Sequence, residues 1–77
     1  MSNAVRFLLI RGQAFDRDIL IPREEIKEYL NARVKSDQIE FVIVFPVKDA
    51  KWGEIFPVID ECRKSRVKVV YLNQSES

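Results

Sequence analysis

Phe41-Val42-Ile43-Val44-Phe45 is five apolar residues without a polar break, closed by Pro46. A strand with one wet face alternates apolar and polar side chains, so an unbroken run of this length predicts a central strand, from Ile39 to Phe45, with both faces covered. Downstream, Trp52, Ile55, Phe56, Ile59 and Cys62 recur at helical spacing, and Val67 to Leu72 is again rich in β-formers. The stretch from Glu40 to Leu72 therefore reads as strand, helix, strand, with the two strands parallel.

The first half of the chain extends this unit. Val5 to Ile10 reads as a strand ending at Arg11-Gly12, and Ile19-Leu20-Ile21 as a brief second strand paired with it as a hairpin. From Pro22 the period changes. Ile26, Tyr29, Leu30, Arg33 and Val34 fall on one helical face to about Lys35, with Glu24 and Glu25 in the first turn, where the helix dipole favours anions. Asp49 is placed to cap the second helix, which runs to about Ser65. Pro57 inside it predicts a kink or a late start near Gly53. The expected fold is a small mixed β-sheet with two helices on one face, α+β or α/β, in the order β-β-α-β-α-β. The 77 residues form one domain over 5–72, with a polar tail at 73–77. Ser2-Asn3-Ala4 reads as the remnant of a cleaved expression tag, which implies a longer parent.

Composition excludes several chemistries. Cys62 is the only cysteine and histidine is absent, which removes an intrachain disulfide, a Cys/His metal site and histidine-based nucleophilic catalysis. On the apolar stripe of its helix, Cys62 reads as a buried thiol. Glu24/Glu25 and Asp60/Glu61 are sequence neighbours that point in different directions on a helix, so they read as solvated faces and not as acid and base pairs. Gly12 and Gly53 sit in no phosphate-binding pattern. No catalytic residue, cofactor or metal is indicated.

The net charge of +1, from 13 basic and 12 acidic side chains, gives no global attraction to nucleic acid or anionic lipid. The one basic group, Arg63, Lys64, Arg66 and Lys68, reads as a helix C-terminus followed by a lysine-protected strand edge. Trp52 is expected in the core with Ile55, Phe56 and Ile59. Phe45-Pro46-Val47, at the C-terminal end of the central strand, offers a polar ligand no side-chain hydrogen bond. No run approaches the roughly 18 apolar residues of a membrane span, so a soluble chain is expected.

Ile43-Val44-Phe45, Trp52-Gly53-Glu54, Val58-Ile59-Asp60, Arg63-Lys64 and Val67-Lys68-Val69-Val70-Tyr71-Leu72 together resemble the C-terminal half of the periplasmic domain of the ExbD/TolR family. A looser likeness continues through Ile21-Pro22 and Ile26 to Leu30, so it covers nearly all of the expected folded region. Two places depart from the family pattern: Phe45-Pro46-Val47 stands where a polar loop with an aspartate is usual, and Pro57 interrupts the second helix. The resemblance implies a non-enzymatic domain on the periplasmic side of the inner membrane, behind a transmembrane helix outside this sequence. It implies a homodimer that works with an ExbB/TolQ-like channel subunit and a TonB/TolA-like protein, with peptidoglycan as a further contact, coupling proton motive force to envelope transport. Val67, Val69 and Tyr71 are the alternating last-strand positions expected at a dimer or partner interface, through the open sheet face or through pairing of last strands. A free-standing cytosolic α/β protein-binding or regulatory module is the alternative.

Overall fold

The computed structural model describes residues 4–72. The chain begins with β1 (Ala4–Ile10), β2 (Gln13–Asp16) and β3 (Ile19–Ile21). A short 3-10 turn, Arg23–Glu25, leads into α1 (Ile26–Asp37), and β4 (Phe41–Pro46), α2 (Trp52–Arg63) and β5 (Lys68–Tyr71) complete it. The strands form one mixed sheet in the spatial order β3-β2-β1-β4-β5. β1 to β3 are a meander of antiparallel neighbours, and β1, β4 and β5 run parallel. This is an α+β fold, and the parallel relation expected of β4 and β5 is present.

One strand more is present than the sequence reading supplied. Arg11 and Gly12 both have positive φ, 51° and 80°, and form a two-residue turn that closes Ile10 onto Gln13. The chain after it is committed to pair with β1 at once, and Gln13–Asp16 does so. Ile19–Ile21 is accordingly one strand further out, paired with β2 and not with β1. Ala4, expected in the tag remnant, is the first residue of β1. Met1 to Asn3 and the polar tail from Asn73 to Ser77 lie outside the described residues.

Both helices seal one side of the sheet. Val5, Phe7 and Leu9 of β1, Ala14 of β2, Ile21 of β3 and Val42 and Val44 of β4 point into a core closed by Ile26 and Leu30 of α1 and Ile55, Val58 and Cys62 of α2. Strand alternation sends the intervening residues to the other side.

The helix ends follow local chemistry. α1 closes with Gln38 in the left-handed region at φ 56°, its N–H donating to the Val34 carbonyl at 3.0 Å. The N-cap of α2 is Lys51 and not Asp49: the Glu54 carboxylate reaches back to accept the Lys51 N–H at 3.5 Å, and the Glu54 N–H donates to the Lys51 carbonyl at 2.8 Å. That start, adjacent to Gly53, is the late one anticipated from Pro57, and the chain then runs helical through Pro57 to Arg63. At its far end the Ser65 hydroxyl donates to the Cys62 carbonyl at 2.6 Å, and the Arg66 N–H donates to Asn31 Oδ1 at 2.9 Å, tying the loop to α1.

Candidate functional site

Among the described residues, the second face of the sheet leaves a broad apolar surface bare. The strand registers set Leu8 beside Phe15 and Phe45, and Phe15 beside Leu20. Leu72, whose N–H donates to the Val44 carbonyl at 3.0 Å, continues the line past Phe45. Leu20, Phe15, Leu8, Phe45 and Leu72 thus form one apolar row across all five strands. Arg6, Ile43 and Val70 make a second row, and Ala4, Phe41 and Lys68 a third. Leu8 is 40%, Leu20 44% and Leu72 43% exposed. No helix or loop among the described residues covers this side. The cover expected over both faces of β4 is therefore met on one face only: Val42, Val44 and Pro46 are buried, while Ile43 and Phe45 are half-buried and Phe41 is exposed.

The candidate interface positions Val67, Val69 and Tyr71 do not lie on this open face. Val67 is buried in the core, and Val69 and Tyr71 pack against that core from the helix side. Their alternation is as read, but the register of β5 on β4 sets Val69 beside Val42 and Tyr71 beside Val44, both inward-facing. They do not line the open face; Lys68, Val70 and Leu72 do. What β5 does offer is a strand edge, since among the described residues it is paired on its β4 side alone.

Trp52 and Phe56 depart from the expected core stripe. They are 53% and 58% exposed, with rings stacked 4.9 Å apart between centroids, and Trp52 lies 5.5 Å from the Tyr71 ring. At roughly 100° per residue, the direction shared by Ile55, Val58 and Cys62 leaves Trp52 about a quarter turn and Phe56 about a third of a turn outside the core. The result is an aromatic shelf beside the β5 edge. Helical spacing alone admitted either stripe.

On the opposite flank, Asp16 is the hub of a polar group that joins β2 to α1. The Tyr29 hydroxyl and Arg33 Nη1 both donate to Asp16 Oδ2, the latter at 3.0 Å, and Arg33 Nε donates to Asp37. Burial, and then the hydrogen bond to Asp16, raise the Tyr29 pKa above its ordinary value. Burial opposes the Arg33 charge, yet the hydrogen bond to Asp37 and the contact with Tyr29 outweigh it and leave its pKa raised. Burial pushes the Cys62 thiol up to about 12, with Glu61 adding to the effect, so the thiolate is suppressed. Arg63 and Lys64 end α2 as expected of a helix C-terminus, Lys64 pairing with Glu61 at 3.1 Å, while Lys68 stands exposed on the open face.

No helix among the described residues is long and apolar enough to cross a membrane. No group of three or more His, Cys, Asp or Glu among them could hold a metal ion. A scan of protein-family models gives no match to this sequence, and a search of curated proteins gives none either.

Proposed function

We propose that this chain is the non-enzymatic interaction domain of an ExbD/TolR-like transport protein. The observation that carries the binding role is the uncovered apolar row from Leu20 through Phe15, Leu8 and Phe45 to Leu72. Contiguous apolar surface of this kind, rimmed by Arg6 and Lys68, is characteristic of a protein-binding surface. The family assignment is supported by the motif run from Ile43 to Leu72 and by a mixed sheet with both helices on one side. In this reading the domain stands on the periplasmic side of the inner membrane behind a transmembrane helix of the parent. It pairs as a homodimer and meets the channel subunit and a TonB/TolA-like protein.

The homodimer is assigned to β5, whose edge has no partner among the described residues and is flanked by Trp52 and Phe56. Antiparallel pairing of two β5 edges would join the sheets and bring the two aromatic shelves together. The open faces stay available in such a dimer, and among the described strand positions each carries positive charge only, which disfavours stacking one on another. Val70→Cys in a Cys62→Ala background tests this arrangement in the intact parent. A disulfide-linked dimer is expected under mild oxidation. A strict monomer in sedimentation at high concentration, with no cross-linked dimer of the parent, would contradict the reading.

A further inference from the structure

β1 outruns the strand beside it. Leu8, Leu9 and Ile10 pair with β2, but β2 ends at Asp16, and Ala4 to Phe7 pair only on the β4 side. The chain leaves the sheet there through Arg17, held at φ 61°, a conformation that glycine adopts freely and an arginine only at a cost of about 1 kcal/mol. Among the described residues the other edge of this half-strand has no backbone partner, the condition under which an extended chain can add to a sheet.

Three guanidinium groups surround that gap. Arg6 stands on the open face, Arg17 in the turn and Arg33 on α1, and with Leu8, Phe15 and Phe45 they line a cleft of about 530 Å³. Asp16 is the one acid in its lining, and it is already engaged by Tyr29 and Arg33. Arg6 and Arg17 have no ion pair among the described residues. The sheet face that opens from the cleft carries Arg6 and Lys68 and no carboxylate among its described strand positions.

We propose that this cleft binds an extended, acidic peptide segment of a partner protein. The segment adds to the free edge of Ala4 to Phe7, sets carboxylates against Arg6 and Arg17, and lays an apolar side chain on Leu8 and Phe45. Backbone pairing supplies the fit to an extended chain, and the arginine forks select carboxylates. The volume matches a few residues of such a segment. The proposal rests on the reading of the chain as a protein-binding domain only in taking its ligand to be a peptide. It is independent of the β5 dimer.

The test is a titration of the ¹⁵N-labelled 77-residue protein with an N-acetylated, C-amidated hexapeptide of alternating glutamate and valine. Saturable amide shifts are expected at Ala4 to Phe7 and at Arg17, weakening as salt rises. A lysine and valine hexapeptide should give no shifts there. Arg6→Glu should weaken binding by at least about tenfold. Arg17→Gly should weaken it as well while leaving thermal stability unchanged or higher, because glycine relieves the positive φ; this variant keeps the test valid if Arg6→Glu fails to fold. The proposal is overturned if the acidic peptide leaves those amides unmoved, if the basic peptide moves them equally, or if N-acetylglutamate alone reproduces the shifts at the same affinity. The last result would identify a site for small anions. Cross-linking at Val70 reports separately on the dimer, so either idea can fail without the other.

Discussion

The two faces of the sheet are built from the same kinds of residue on the same strands, yet they have different fates. On β1, Phe7 is fully buried beneath the helices while Leu8, its neighbour, is 40% exposed. On β4, Val44 is sealed and Phe45 is half open. The difference lies in the connections: both crossovers, through α1 and α2, return on one side, and the described residues contain no further element to cover the other. An apolar strand pattern states that a face avoids water; the topology decides whether the same chain provides the cover.

The largest expected contrast is between core truncations on the two sides. Phe7→Ala should cost about 3–5 kcal/mol through lost burial and a cavity. That approaches the whole stability of a domain this small, of order 5 kcal/mol. Phe45→Ala should cost about 1 kcal/mol or less. Urea denaturation of both variants measures the gap, and equal losses would show that the open face is part of the folding core.

The helix face should also be sensitive to alkali. Cys62, buried there, titrates at about 12 in the folded chain and from an ordinary value of 9.0 when unfolded. A raised folded pKa means that the unfolded state releases its proton first, so stability is full below pH 9 and falls as pH rises towards 12. The slope is about 1.4 kcal/mol per pH unit for one proton. Tyr29, also raised, adds to the fall above pH 10. Urea midpoints at pH 8, 9 and 10 should decline for the native chain and decline less for Cys62→Ala. An unchanged slope in that variant would place the alkaline sensitivity elsewhere.

Smaller effects should attend the β2 flank. Tyr29→Phe removes the hydroxyl that donates to Asp16 and accepts from Arg33, and should cost about 1 kcal/mol in chemical denaturation. Gly12→Ala should lower stability by a similar amount, about 1 kcal/mol, because φ of 80° disfavours a Cβ even though the nearest side-chain atom, on Glu54, leaves room at 3.8 Å.

Much of this contrast was legible in the sequence. The unbroken run at Phe41 to Phe45 announced a strand that needs cover twice, and the helical period of Ile26, Leu30 and Val34 announced one source of cover. The strand Gln13–Asp16 was missed because Gln-Ala-Phe-Asp has no run of β-formers, although the turn at Arg11-Gly12 demands a partner strand immediately after it. The phase of α2 was missed because Trp52 and Phe56 share helical spacing with Ile55 and Ile59, and only packing selects which side turns inward. The alternation of Val67, Val69 and Tyr71 was visible, but its direction depends on a register with β4 that no local pattern encodes. For the same reason the cleft at Arg6 and Arg17 was invisible, since it exists only where β1 outruns β2.

In the proposed division between the two faces, the helix face holds the fold and the open face serves binding. Its most direct test is the doubly charged variant Leu8→Glu, Phe45→Glu, followed by urea denaturation alongside Phe7→Ala. The double variant should keep its cooperative transition within about 1 kcal/mol of the native chain. A loss approaching that of Phe7→Ala would contradict the claim.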